Sequence, residues 1–181
     1  MDSYDISSEI ITIGDKVISG CRSCRYCKKN NECVIKDDIV HEIGAKLEEY
    51  DGFIFGAPVY YAGPSGQIQT FLDRLFFAYG SKMRGKPGAC VVSCRRGGAS
   101  SSFDRLNKYF SINEMPIVTA QYWNQVHGNS REEVLQDLEG MQTMRDLARN
   151  MVWLIRCIDI GKKNGITQPE REPWTPTNFI R

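Results

Sequence analysis

Two short segments, residues 51–59 and Gly88–Cys94, are almost entirely apolar and are bounded by glycine or proline. Such runs are typical of strands that are buried on both faces of a parallel sheet. Residues 9–13, a β-branched run closed by Gly14, and residues 115–123 are two further candidate strands. An amphipathic stripe from Ile68 to Tyr79 separates the first two apolar segments. Strands that alternate with helices predict an α/β fold with a doubly wound parallel sheet and helices on both faces, a three-layer α/β/α arrangement.

Other helices and the chain end follow from the same patterns. Asp37 and Asp38 suit the start of a helix, and Ser130 with Glu133 forms a capping-box signature. Helical spacing of apolar residues then covers residues 39–47, 103–110 and 130–158. The end of the chain has three prolines and no period. We therefore predict one domain over residues 1–165 and an extended arm over residues 166–181.

Composition excludes several classes of protein. The 181 residues carry a net charge of +1, which lacks the basic excess of a nucleic-acid or anionic-membrane binder. The apolar run at residues 151–155 is far shorter than the roughly 20 residues that cross a bilayer. The first residues lack a basic region followed by an apolar one, so they do not resemble a signal peptide. We expect a soluble cytoplasmic protein.

Four of the seven cysteines, Cys21, Cys24, Cys27 and Cys33, fall within thirteen positions. Clustered cysteines in a reducing compartment indicate metal or redox chemistry rather than disulfides. Four thiolates in one compact loop suit a cubane iron–sulfur cluster better than zinc, which more often uses two separated C-x2-C pairs. The alternatives that remain open are a cluster, a zinc ion and four free cysteines.

Loops at the carboxyl ends of the predicted strands are candidate ligand sites, because ligands of open α/β sheets bind there. Residues 58–66 contain the adjacent Tyr60 and Tyr61, which offer flat faces to a planar ligand. Residues 95–102 are cationic, glycine-rich and hydroxyl-rich and open a helix, a composition that suits an anion. Trp123, Asn124 and His127 follow the last strand. The alternative is that these are ordinary turns.

These features resemble the flavodoxin-like NAD(P)H-dependent FMN reductase family, and within it the iron–sulfur flavoproteins. The resemblance extends over about residues 9–161. It is carried by the four-cysteine loop that ends in residues 33–38 (CVIKDD), residues 56–60 (GAPVY), Gln67, residues 71–74 (FLDR) and residues 140–143 (GMQT).

The resemblance implies bound FMN, NAD(P)H as the reductant, a parallel sheet of order 2-1-3-4-5, and a homodimer or homotetramer. Tyr60 and Tyr61 would flank the flavin ring, with backbone groups of the two strand-end loops at its polar edge. Arg95 and Arg96 would face phosphate or the charge of reduced flavin, and no residue needs to act as a general acid or base. The implied cofactor-binding residues are Pro58, Val59, Tyr60, Tyr61, Gly63, Ser93, Cys94, Arg95, Arg96, Gly97 and Gly98, and the implied metal ligands are Cys21, Cys24, Cys27 and Cys33.

One departure from the family pattern concerns the FMN phosphate. Members begin with a strand and a phosphate-binding loop, and the residues before Glu9 contain neither pattern. The sequence thus predicts a domain without its first strand and phosphate loop. Three functions follow: an FMN-dependent oxidoreductase acting between NAD(P)H and an acceptor, an electron carrier with a 4Fe–4S cluster and a ferredoxin-like partner, or a relative that binds no flavin.

Overall fold

A four-stranded sheet lies at the centre of the computed structural model, which describes residues 4–177 and Phe179. The strands are β1 (Phe53–Tyr60), β2 (Gly63–Pro64), β3 (Gly88–Cys94) and β4 (Gln125–His127). The α-helices are α1 (Cys27–Asn30), α2 (Ile39–Lys46), α3 (Gly66–Tyr79), α4 (Ala99–Ile112), α5 (Arg131–Gln136) and α6 (Leu138–Lys163). Short 3-10 turns at Leu47–Glu49 and Gly80–Met83 extend α2 and α3.

The strand order is β2-β1-β3-β4, in which β1, β3 and β4 are parallel and β2 folds back on β1. In the β1–β3 pair, Phe53 lies opposite Gly88 and Pro58 opposite Ser93. The carboxyl ends of β1 and β3 therefore meet at one edge of the sheet. This topology confirms the predicted α/β class with a mostly parallel, flavodoxin-like sheet.

Helices cover the two faces of the sheet unequally. The larger core packs α2, α3 and α4 against one face, with Leu75, Leu106 and Phe110 fully buried. The ring of Phe110 stacks on Phe55 of β1 at 5.8 Å between centroids. The smaller core packs Leu147 and other residues of α6 against the opposite face. The predicted three-layer arrangement is thereby confirmed.

Local capping explains where three helices begin. The Asp38 carboxylate accepts the Val40 N–H at the start of α2, and the Ser65 hydroxyl accepts the Ile68 N–H at the start of α3. Ser130 caps α5 in the predicted way, because its hydroxyl accepts the Glu133 N–H. The predicted helix over residues 130–158 is nevertheless two helices, since Asp137 leaves the helical conformation and caps α6 through the Gly140 N–H.

Two predicted strands are wrong. Residues 9–13 form no strand: they have no regular secondary structure and are exposed apart from Ile13, which packs against the larger core. Residues 115–123 make a single bridge between Ile117 and Gly88, and the strand forms later, at β4. Both hydrogen bonds of this bridge are made with Gly88, by the Pro116 carbonyl and the Val118 N–H, and the Val118 carbonyl accepts from the Asn124 side chain instead of continuing the ladder.

The sheet also has fewer strands than the 2-1-3-4-5 order that the resemblance implies. Within the described residues, three parallel strands are present, and β1 has no neighbour opposite β3 along residues 53–58. Ile54 on this strand is 41% exposed. None of the helices in the described residues is both long and apolar enough to cross a lipid bilayer.

The chain beyond α6 runs over the surface without a helix or strand from residue 166 to residue 177. Arg84 Nη2 donates to the Pro169 carbonyl at 2.8 Å, and Arg171 pairs with Glu114. These contacts hold the segment beside the turn that leads into β3. The domain boundary at residue 165 stays a prediction.

Candidate functional site

The four clustered cysteines line one hollow at the surface of the protein. Cys21 and Cys24 are exposed, whereas Cys27 and Cys33 are partly buried. The rest of the lining is apolar or cationic and comes from Arg22, Arg25, Val34, Ile35, Arg74, Phe77 and Ala78. The structure thus brings all four predicted metal ligands to a single place between the cysteine loop and α3.

Backbone conformation gives the cysteine loop its shape. Ser23, Arg25 and Asn31 have φ values of 52°, 57° and 55°, in the left-handed region that residues other than glycine rarely adopt. Left-handed Arg25 precedes right-handed Tyr26, the alternation that turns successive N–H groups toward one concavity. Among the described residues, no backbone N–H from residue 21 to residue 26 donates a hydrogen bond. These donors remain free for a ligand.

Electrostatics show that the thiols are close neighbours. Burial raises the pKa of the Cys27 thiol, its own backbone N–H lowers it, and repulsion from Cys21, Cys24 and Cys33 raises it further. Yet within the described residues, no three His, Cys, Asp or Glu side chains converge closely enough to hold a single metal ion. The thiols therefore do not form the close tetrahedral set that a zinc site needs.

Arg74 of α3 lies beneath the cysteine loop and is 1% exposed. Its guanidinium pairs with Asp38 and donates from Nη2 to Cys33 Sγ at 3.3 Å. Arg74 Nε is buried and has no hydrogen-bond partner in the described part of the chain. Sequence reasoning assigned no role to this residue. The available signal was a charged side chain within the apolar stripe of α3.

Tyr79, at the end of α3, fixes the backbone of Cys33. Its hydroxyl accepts the Cys33 N–H at 3.0 Å and lies 2.9 Å from His41 Nδ1. The ring packs on Gly44 of α2, where an added Cβ would lie 2.5 Å from ring carbons. Cys33 is therefore held both at its sulfur and at its main chain.

A second, open hollow lies at the carboxyl edge of the sheet. Three predicted residues, Tyr60, Tyr61 and Gly63, line it, and both tyrosine side chains are exposed. Tyr61 has a φ of 57°, which the tight turn between β1 and β2 imposes. The remaining lining residues are Ala62, Pro64, Gly66, Gln69, Ser101 and Arg105.

The other predicted cofactor residues lie beside this hollow rather than in its lining. The loop after β3 packs on the end of β1, where an added Cβ at Gly98 would lie 2.8 Å from Val59 Cγ1. Arg95, Arg96 and Gly97 are exposed on the same loop. The predicted residues outside the lining are Pro58, Val59, Ser93, Cys94, Arg95, Arg96, Gly97 and Gly98.

Cys94 is buried where β3 ends. Burial raises the pKa of its thiol, and the backbone N–H groups of Ala99 and Arg96 oppose that effect. Cys94 is thus enclosed by the loop that follows β3 and does not line the strand-end hollow.

Sequence reasoning missed Gln69 and Arg105, whereas Ser101 lies within the candidate loop of residues 95–102. Ser101 and Arg105 are four residues apart, on one face of α4, which begins within that loop. Gln69 occupies the first turn of α3, directly after the tyrosine loop. Extending each loop by one helical turn would have included both missed residues.

The residues predicted to follow the last strand do not line this hollow: Trp123 and Asn124 precede β4, and His127 ends it. Trp123 is 50% exposed and packs against Tyr122, with 5.1 Å between ring centroids. Asn124 is buried, and the His127 N–H donates to Asp137 at 2.7 Å. The bond from His127 connects β4 to the start of α6.

The chain matches a known protein family over most of its length. The sequence profile of the family described as NADPH-dependent FMN reductase matches residues 2–129. The chain belongs to this family. The fold of this chain, a flavodoxin-like sheet with an open hollow at the carboxyl ends of its strands, is compatible with the family's name.

Curated relatives are iron–sulfur flavoproteins. One from Methanocaldococcus jannaschii is 32% identical over 161 residues, covering 84% of this chain and 83% of that protein. Another, from Archaeoglobus fulgidus, is 27% identical over 173 residues, covering 88% of this chain and 87% of that protein. The family match and these relatives together identify the chain as an FMN-dependent oxidoreductase.

A solved structure supports the fold alone. RosB, crystallised with the intermediate 8-demethyl-8-formylriboflavin-5'-phosphate, aligns with a TM-score of 0.63 and 12% sequence identity. The alignment covers 99% of this chain and 82% of RosB.

Proposed function

We propose that FMN binds at the strand-end hollow and exchanges electrons with a group held by the four cysteines. The observation that carries this proposal is the placement of two ligand-competent hollows along one helix. Gln69 of α3 lines the strand-end hollow, and Phe77, eight residues further along α3, lines the cysteine hollow. Eight residues of α-helix span about 12 Å, so the two sites are close neighbours.

The strand-end hollow suits a planar, anionic cofactor. Tyr60 and Tyr61 offer exposed aromatic faces, and Gly63 and Gly66 leave open space beside the backbone. Arg105 supplies a cation in the lining. When bound, FMN supplies the chemistry of hydride and single-electron transfer. The chain orients the ring through the tyrosine loop and its edge through the residue 95–98 loop.

NAD(P)H is the proposed reductant, and a small molecule or a protein is the proposed acceptor. The hollow is open to solvent, which lets a second planar molecule approach the ring. None of the residues in its lining is placed to act as a general acid or base, and none is required for hydride transfer to a flavin. The protein's contribution is to position the two partners.

The cysteine hollow fits a 4Fe–4S cluster. It combines four thiols, a set of free main-chain N–H groups and the buried Arg74, which together suit a large anionic group. Cys21, Cys24, Cys27 and Cys33 would each hold one corner. The cluster, when bound, supplies one-electron transfer. The chain's own role is to set the spacing of the thiols and to exclude water with Phe77 and Val34.

A second candidate function is that of an electron carrier for an acidic redox protein. Residues 16–36 contain six Lys and Arg residues and one acidic residue, a local net charge of +5 in a chain of net charge +1. Arg22 and Arg25 lie at the rim of the cysteine hollow and are exposed. A cationic rim steers an acidic partner, such as a ferredoxin-like protein, toward the cysteine site.

We also propose that the protein self-associates as a homodimer or homotetramer. Trp153 and Ile160 of α6 are 66% and 59% exposed, and their spacing of seven residues places them on one face. Large apolar side chains on one exposed helix face favour contact between copies.

An absorption spectrum of the anaerobically purified protein, with iron and FMN contents per chain, tests these assignments. Flavin bands with a broad shoulder and nearly four irons are expected from a 4Fe–4S cluster. Flavin bands without iron would support the reductase function and contradict the proposed cluster. A colourless protein that takes up neither FMN nor iron would contradict both.

A further inference from the structure

One buried side chain joins the two ends of the cysteine loop. Arg74 Nη1 donates to the Ser19 carbonyl at 3.2 Å, before the first cysteine, and Nη2 donates to the Ile35 carbonyl at 3.2 Å, after the last one. Between these points the loop contains only the four-residue α1 as regular structure. The guanidinium therefore closes the loop from below.

The same guanidinium contacts a cysteine sulfur. Arg74 Nη2 lies 3.3 Å from Cys33 Sγ, within the range of a hydrogen bond to sulfur. Asp38 pairs with both terminal nitrogens, and its Oδ1 lies 3.2 Å from Nη2. Because α3 is packed in the larger core, Arg74 projects from a rigid element.

Burial makes this arrangement specific. A guanidinium that is 1% exposed loses its hydration, so each donor needs a partner in the protein or in a ligand. Asp38, two carbonyls and Cys33 satisfy the terminal nitrogens, while Nε has no partner in the described residues. A planar fork with several donors can make these contacts at once, which a lysine ammonium cannot.

We propose that Arg74 is a positioning residue of the cysteine site: it ties Ser19 to Ile35, orients Cys33 Sγ and donates a hydrogen bond to that sulfur when a cluster is bound. This inference rests on the proposed cluster. A hydrogen bond from a cation to a ligand sulfur stabilises the reduced, more negative cluster and so raises its reduction potential. Arg74 thus sets both the geometry and the potential of the site.

The test compares three variants of the full chain, each prepared anaerobically with its cluster. Arg74→Lys keeps the charge and removes the fork. Asp38→Asn keeps an oxygen for the α2 cap and removes the charge that holds Arg74. Glu32→Gln is the matched control, because it makes the same chemical change in the surface pair with Lys36, near Cys33. The readouts are the rate of iron loss to EDTA, the midpoint potential of the cluster and FMN content.

We expect Arg74→Lys to lose iron about 10-fold faster, the typical effect of removing a partner of a metal ligand. Its cluster should titrate at a more negative potential with FMN content unchanged. Asp38→Asn should also lose iron faster, because Arg74 is then no longer held in place, and Glu32→Gln should match the wild type. Should Arg74→Lys fail to fold, the comparison of Asp38→Asn with Glu32→Gln decides.

The outcomes separate the two proposals. Wild-type protein that holds no iron overturns the cluster, and the role of Arg74 with it. Wild-type protein that holds iron, with an iron-loss rate and a potential that are the same in Asp38→Asn and Glu32→Gln, overturns the role of Arg74 alone. A faster iron loss with an unchanged potential would overturn the hydrogen bond to sulfur.

Discussion

The two hollows of this protein are built in different ways. The strand-end hollow is lined by the turn after β1 and by the first turns of α3 and α4, and the parallel pairing of β1 with β3 brings Tyr60 and Gly98 to one edge. The cysteine loop has almost no regular structure and is held from outside, by Arg74 and Tyr79 of α3. The hydrogen-bonded backbone of the sheet shapes the strand-end hollow, whereas a few long-range side-chain contacts shape the cysteine hollow.

This difference determines how each site responds to change. A site ordered by the sheet tolerates the loss of one side chain, because the strands keep the loops in place. A site ordered by four thiols and two side chains depends on every one of them. We therefore expect the larger effects of single substitutions at the cysteine site.

The largest effect is expected from the cysteines themselves. Replacing any one of Cys21, Cys24, Cys27 or Cys33 by serine should remove most of the iron, because a cubane cluster needs a ligand at each corner. Iron per chain in anaerobically prepared protein measures the effect. Cys157→Ser is the control, since Cys157 is exposed on α6, outside the loop. Retention of full iron by two or more of the four variants would contradict the tetrad.

The next effect concerns the glycine that joins the two strand-end loops. Gly98 has a φ of 90°, and an added Cβ would press on Val59. Gly98→Ala should lower the free energy of unfolding by about 1–3 kcal/mol and weaken FMN binding. Denaturant unfolding and FMN titration measure the two results.

Gly97→Ala is a matched control for this prediction. No heavy atom lies within 4 Å of the Cβ that it would add, and its φ is not positive. Its unfolding free energy should stay within about 0.5 kcal/mol of the wild type. Equal losses in the two variants would mean that the close approach of the loops to each other is unimportant.

A pair of tyrosines can separate the two sites. Tyr60→Ala should weaken FMN binding by about 10-fold or less, since an aromatic stack contributes about 0.5–1.5 kcal/mol, and should leave iron unchanged. Tyr79→Phe removes the hydroxyl that accepts the Cys33 N–H, so it should speed iron loss and leave FMN affinity unchanged. Both quantities are measured on both variants. A Tyr79→Phe protein that loses FMN affinity more than Tyr60→Ala would reverse the assignment of the sites.

Local sequence patterns predicted the parts of the fold that depend on neighbours along the chain. The apolar run of β3, the stripe of α3 and the caps at Asp38 and Ser130 all appear in the structure. The pattern failed at residues 115–123, which are apolar enough for a strand but pair with β3 at the single bridge of Ile117. An apolar residue of this segment can be buried without pairing in a strand: Val118 is buried but belongs to no strand.

The candidate sites divide in the same way. Cysteine spacing and tyrosine pairs are visible in the sequence, and the structure brings them to two hollows. Arg74 is not visible as a site residue, because its partners Ser19 and Asp38 are 55 and 36 positions away. Contacts at such separations follow from the tertiary fold, which one sequence does not specify residue by residue.

The smallest effect is expected at the rim of the cysteine hollow, where only long-range charge acts. Replacing Arg22 and Arg25 together by glutamine should slow electron exchange with an acidic [2Fe–2S] ferredoxin by about two- to five-fold at low salt. Stopped-flow absorbance measures this rate at several salt concentrations. The difference from wild type should vanish at high salt, because surface charges are then screened over a few ångströms.

A double variant of Lys46 and Lys108 is the control for the rim, since both lysines are exposed on α2 and α4 and their replacement by glutamine removes the same charge. If charge acts through the rim, the arginine variant slows the reaction and the lysine variant does not. Equal slowing would assign the effect to the net charge of the whole molecule. A rate that is insensitive to both would mean that an acidic protein reaches the electron-transfer centre elsewhere, and the strand-end hollow, with its exposed tyrosines, would be the surface to test next.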